Sequence, residues 1–195
     1  MYSSQIMKPD LIFTLFQDNR TVFRLKDIAM LTGETDFLSL NKRINYQVSK
    51  GRLNNPRKGI YTKPDYNPEE LACSLYTPSY ISLEYVLQKA GVIFQYDTRI
   101  TALSYLNRKV EIGGQVINYR KMKGELLINT EGILRQSNHV NIATPERAFV
   151  DILYLNGDIW LDHTKSLNKN LVTKIVSTFQ SARLSERAHN ILKKW

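Results

Sequence analysis

Acidic residues are missing where basic ones are dense. Residues 39–63 contain no Asp or Glu, yet carry Lys42, Arg43, Lys50, Arg52, Arg57, Lys58 and Lys63. Solvated surfaces ordinarily mix charge signs, so an uncompensated block of one sign suits a polyanionic partner. Cysteine is almost absent as well. Cys73 is the only one, which excludes a disulfide within the chain and fits a reducing cytoplasm. Its neighbours Leu71, Ala72 and Leu75 make it read as a buried small hydrophobe. The three histidines, His139, His163 and His189, are scattered, without Cys or carboxylate partners at metal-ligand spacing. No stretch reaches the roughly 20 apolar residues a membrane span needs, and the N-terminus lacks the basic-then-apolar layout of a signal peptide. A cytoplasmic protein with no membrane association is the expectation.

Catalytic signatures are missing too. There is no Gly-Lys phosphate loop, no GxGxxG and no nucleophile elbow. Glu111 is followed by Ile112 and Gly113 rather than by the x-Lys of a metal-dependent nuclease. Asp158 and Asp162 lack the Gly-Ser preface of a nucleotidyltransferase. Asp151 lies inside a helical pattern with no catalytic partner in view. The chain therefore reads as a non-enzyme that needs no cofactor and no metal.

What is present is ample for a packed core. Hydrophobic residues make up 43% and aromatics 10% of the 195 residues, which excludes a disordered chain and allows one or two domains. The net charge is +9 and the pI about 9.6, in keeping with a nucleic-acid partner.

Periodicity divides the chain at a Pro-flanked segment, Pro64 to Pro68. Upstream, Leu11, Ile12, Leu15 and Phe16 form a helical stripe with Pro9 in its first turn, residues 20–24 lean to strand, and residues 25–31 form a second helix ended by Gly33. Thr35 or Asp36 can cap a third helix over residues 37–50, whose Leu40, Ile44 and Val48 face inward. Ser39, Lys42, Asn45, Tyr46 and Ser49 then face outward, flanked by Arg43 and Lys50. Asn pairs with adenine in the major groove, and Lys with guanine or phosphate. Two short strands, residues 53–57 and 60–63, surround Lys58-Gly59 and place Arg57 and Lys58 at a hairpin tip. A basic helix followed by a basic hairpin is how a winged helix-turn-helix meets DNA. An ordinary solvated face would look similar in outline; the missing acids argue against it.

Downstream, helices are expected over residues 69–75 and from Ser82 to Gly91. Residues 92–96, 99–106, 109–112, 115–119, 126–128 and 139–143 lean to strand, with Gly113-Gly114 as a hairpin turn. Thr144-Pro145-Glu146 starts another helix. Two more follow, around Leu171 to Phe179 and over residues 185–194; Lys165, Lys169, Lys174, Arg183, Arg187, Lys193 and Lys194 make this tail basic. The expected class is α+β: a winged helix-turn-helix over residues 1–66, then a mixed α/β domain over residues 67–195 with a helical end.

Three segments in order carry a family resemblance. Arg24-Leu25-Lys26-Asp27-Ile28-Ala29-Met30-Leu31-Thr32-Gly33, followed by Lys42-Arg43-Ile44, Lys50-Gly51-Arg52-Leu53 and Lys58-Gly59-Ile60-Tyr61, resembles the winged helix of AbiEi-type antitoxins of abortive-infection (type IV) toxin–antitoxin pairs. Tyr80-Ile81-Ser82-Leu83-Glu84-Tyr85-Val86-Leu87-Gln88-Lys89-Ala90-Gly91 and Ile142-Ala143-Thr144-Pro145-Glu146-Arg147-Ala148-Phe149-Val150-Asp151 are similar to two further segments of that family. Tyr85 and Val86 depart from its usual small pair, and nothing after Gly157 matches. The resemblance implies a repressor that binds its own operator as double-stranded DNA. It also implies an antitoxin that counters a nucleotidyltransferase-like toxin without needing a stable complex with it. The residues alone leave open a stand-alone transcription factor with a ligand- or partner-sensing C-terminal domain, and a DNA-processing enzyme targeted by a winged helix.

Overall fold

The structure is a computed structural model that describes residues 10–163 and 166–193; Pro9, Lys165 and Lys194 lie outside the described residues. These contain nine helices and two sheets, an α+β architecture. None of the helices is long and apolar enough to cross a membrane.

The chain divides into two compact units after Leu75. The first begins with α1 (Leu11–Gln17), capped by Asp10, whose side chain accepts from the Phe13 amide. β1 (Val22–Arg24) leads directly into α2 (Leu25–Thr32), which Gly33 ends in the left-handed conformation. Asp36 caps α3 (Phe37–Ser49) by accepting from the Leu38 and Ser39 amides. β2 (Asn54–Arg57) and β3 (Ile60–Thr62) form a hairpin, and β3 also pairs with β1, giving the sheet order β1-β3-β2. Pro56 sits in β2, the edge strand, where a missing amide donor costs no ladder bond. Leu11, Leu15, Phe23, Ile28, Leu40, Ile44, Leu53 and Tyr61 fill the core beneath these elements.

The division expected after residue 66 falls later because α4 (Pro68–Leu75) belongs to the first unit. The buried Glu70 carboxylate accepts from the backbone amides of Thr21 and Val22. The Arg24 guanidinium donates to the Ser74 carbonyl at 2.6 and 3.1 Å. The prolines of the 64–68 segment mark a turn within the unit rather than a linker.

The second unit is built on a six-stranded sheet of order β6-β7-β5-β4-β9-β8. Its strands are β4 (Ser79–Ile81), β5 (Ile100–Ser104), β6 (Arg108–Ile112), β7 (Gln115–Lys121), β8 (Ile133–Arg135) and β9 (Asn141–Ala143). Gly113 and Gly114, both at positive φ, form the tight β6–β7 turn. The helices are α5 (Glu84–Lys89), α6 (Gly124–Leu127), α7 (Pro145–Leu155), α8 (Lys169–Thr178) and α9 (Ala182–Leu192).

Three expectations fail here, each for a physical reason. Residues 126–128 form no strand; Leu126 and Leu127 belong to the single turn α6 and bury both side chains. Residues 92–96 pair with a later loop instead of a sheet: the Val92 carbonyl accepts from the Asp162 and His163 amides, and the Phe94 amide donates to the Asp162 carboxylate. Ser82 does not cap α5, because its hydroxyl turns to Asp151 and Leu83, at φ 64, takes the cap position.

Candidate nucleic-acid interface

The sequence places nine polar side chains on α3 and the following hairpin, and the structure sorts them. Leu40 and Ile44 are fully buried and fix the rotation of α3. Lys42, Asn45, Tyr46, Ser49 and Lys50 are exposed, whereas Ser39 is half-buried. Lys42 and Asn45 have no hydrogen-bond or ion-pair partner among the described residues, so both are unengaged. The Tyr46 ring carries the Lys50 ammonium at 5.6 Å from its centroid, a contact that steadies two long side chains on one face. The Ser49 hydroxyl donates 2.8 Å to the Tyr46 carbonyl.

Arg43 differs from its neighbours. Its guanidinium lies 3.4 Å from the Glu34 carboxylate. The basic block has no acid within it, but one just upstream folds back onto it and partly offsets Arg43. Lys63 also leaves the face: its ammonium donates 2.7 Å to the Asp18 carbonyl. Arg52 reaches the Gln47 amide oxygen at 3.3 Å.

The hairpin tip is ordered from within. The Asn55 side-chain amide donates to the carbonyls of Arg57 and Ile60 at 3.0 and 2.8 Å, bridging the turn. Gly59, at φ 77, supplies the left-handed residue that closes it. Arg57 and Lys58 are exposed at this tip. The helix and the hairpin are thus two cationic presentations on one unit, and the acids nearest α3, Glu34 and Asp36, are engaged by Arg43 and by the helix cap.

The second unit holds a polar constellation of another kind, which the sequence did not disclose. Arg147 and Asp151, one helical turn apart on α7, are both 0% exposed. Arg147 Nε donates 3.0 Å to Asp151 Oδ1. Its Nη1 donates to the carbonyls of Asn129 and Glu131, and its Nη2 to the Leu126 carbonyl and the Tyr80 hydroxyl. Asp151 Oδ2 in turn accepts from the Tyr80 and Ser82 hydroxyls at 3.1 and 2.8 Å. The two downstream segments that carry the family resemblance meet in this one network. Burial pushes the Asp151 carboxyl up to about 6, against the Arg147 charge and the hydrogen bonds that favour its ionised form. Burial likewise pushes the Tyr80 phenol well up. Every oxygen and N–H of the pair is engaged and neither residue is exposed to solvent, so the network joins strand to helix and is not placed to do chemistry. Among the described residues no cluster of His, Cys, Asp and Glu is arranged to hold a metal.

The chain matches no family model and no curated protein. Its fold is similar to that in the crystal structure of the RV2827C protein from Mycobacterium tuberculosis, with a TM-score of 0.55 at 14% identity, over 94% of this chain and 75% of that one. At that identity the likeness is one of fold alone.

Proposed function

We propose that the chain is a DNA-binding autorepressor and antitoxin, not an enzyme, and that its first unit is a winged helix-turn-helix with α3 as recognition helix and the β2–β3 hairpin as wing. The observation that carries this reading is the exposed, acid-free face of α3, with Lys42 and Asn45 unengaged, continued by Arg57 and Lys58 at a hairpin tip of the same unit. Three helices, α1 to α3, followed by a hairpin suit a helix in the major groove and a wing on the backbone. The antitoxin half of the proposal rests on the family resemblance of the segments around Tyr80 and Thr144. Its partner is a nucleotidyltransferase-like toxin, countered without an obligatory complex.

The direct test is binding of the full chain to a duplex from upstream of its own reading frame, compared with random DNA. Asn45→Ala is expected to cost about 1–3 kcal/mol on the specific site and less on random DNA. Equal losses on both remove Asn45 from base readout.

The two roles separate along the chain. Residues 1–75, with their own core, are expected to bind DNA more weakly than the whole chain and to give no protection when co-expressed with the toxin gene. Full growth rescue by residues 1–75 would mean that repression alone accounts for antitoxicity.

The runner-up reading is a transcription factor with a ligand- or partner-sensing second unit; a small cavity of about 200 Å³ there has both apolar residues, Leu83 and Ile93, and the mutually paired Asp97 and Arg99 in its lining. Growth rescue in the co-expression assay decides for the antitoxin; its absence, with intact DNA binding, decides for the sensor.

A further inference from the structure

We infer that Leu38 is a specificity residue that reads the methyl group of a thymine. The inference deepens the DNA-binding proposal and rests on it.

Leu38 is 76% exposed in the first turn of α3. Such exposure of a large apolar side chain on a helix that buries Leu40 and Ile44 completely is unfavourable in the free protein, since each methylene left in water forgoes about 0.8 kcal/mol. Leu38, Lys42 and Asn45 follow at helical spacing and share one ridge. The apolar residue is therefore continuous with the unengaged polar pair.

The cap decides what this turn can face. A free helix N-terminus attracts phosphate through its amides. Here Asp36 accepts from the Leu38 and Ser39 amides at 3.0 and 3.2 Å, and its carboxylate repels phosphate. This turn is thus not a phosphate clamp; its exposed apolar side chains are Phe37, 49% exposed, and Leu38, and of the two Leu38 shares the ridge of Lys42 and Asn45. In the major groove the apolar feature is the thymine C5-methyl, and recognition helices bring their N-terminal residues to the base edges. At about 1.5 Å rise per residue, Leu38 and Asn45 lie about 10 Å apart along the helix, so they are expected to read different base pairs.

The test starts with selection of binding sites from a random duplex library by the full chain. Each thymine of the selected site is then replaced by deoxyuridine, which removes only the methyl. At one position this is expected to weaken wild-type binding by about fourfold, the equivalent of one buried methyl. Leu38→Ala is expected to bind the thymine and deoxyuridine duplexes equally. The side chain is exposed, so the variant folds, and thermal melting verifies this. Wild-type indifference to every replacement overturns the inference while leaving DNA binding intact. So does a sensitivity that persists in Leu38→Ala. A Leu38→Ala loss that is equal on all sequences and accompanied by a change in oligomeric state assigns Leu38 to self-association instead. Failure to select any sequence overturns the DNA-binding reading and this inference with it.

Discussion

Asp151→Leu, with Arg147 retained, is expected to lower the stability of the protein by about 3–5 kcal/mol, because it leaves a fully buried guanidinium without its counter-charge. Arg147→Met is expected to cost at least as much. It strands the Asp151 carboxylate and also removes the donors to the carbonyls of Leu126, Asn129 and Glu131. The double variant removes both charges, so its loss is expected to fall short of the sum of the singles by about 2 kcal/mol or more. Urea denaturation of the four proteins measures the cycle. Strictly additive losses would mean that the two groups do not act as a pair.

The same carboxyl makes a pH prediction whose sign differs from that of an ordinary surface acid. Its folded value, about 6, lies above its ordinary 3.8, so the folded state holds the proton more tightly than the unfolded one. Lowering the pH from 7 to 5 therefore adds stability through this group, on the order of 1 kcal/mol, and raising the pH through 6 removes it. Asp18 and Asp97, held low by hydrogen bonds from Arg20 and Arg99, act in the opposite sense at lower pH. Asp151→Asn lacks the Asp151 contribution while keeping the others. The stability gap between wild type and Asp151→Asn is thus expected to widen from pH 7 to pH 5. A constant gap would mean that Asp151 titrates in its ordinary range.

The first unit is legible in the sequence because its signals are local. Leu40 and Ile44 set the face of α3, Asp36 its start, and Gly33 and Gly59 the points where only a left-handed residue fits. The second unit is less legible because its signals are distant. Arg147 and Asp151 are visibly one turn apart, but what makes them inaccessible is Tyr80 and Ser82 on another strand. Residues 92–96 have strand composition, yet their hydrogen bonds go to Asp162 and His163, far along the chain. In the sequence the α4 helix reads as the start of the second domain because its tie to β1 runs through Glu70, a charged residue with no apolar periodicity to announce its burial. The exposure of Leu38 is not legible in the sequence for another reason: an outward face read for polar chemistry passes over a leucine.

The combined variant Lys42→Ala, Lys50→Ala, Arg57→Ala, Lys58→Ala is expected to have the largest effect on DNA. All four side chains are exposed, so their removal leaves the core of the first unit untouched. Each cation that neutralises a phosphate releases counterions and adds about 0.9 to the slope of log affinity against log salt. Loss of four such contacts would flatten the slope by about 3.6, with an affinity loss of about a hundredfold or more at low salt. The two pairs need not contribute alike. Arg57 and Lys58, at the hairpin tip, are expected to act on all sequences equally, since backbone contacts carry no sequence information. Lys42, beside Asn45 on the ridge, is expected to penalise the specific site more than random DNA if it reaches guanine, and both equally if it reaches phosphate. Binding isotherms at several salt concentrations for the helix pair, the hairpin pair and the quadruple variant separate these contributions. An unchanged slope in the hairpin pair would take the hairpin off the DNA. An unchanged slope in the quadruple variant would take α3 off it as well, and with it the proposed interface.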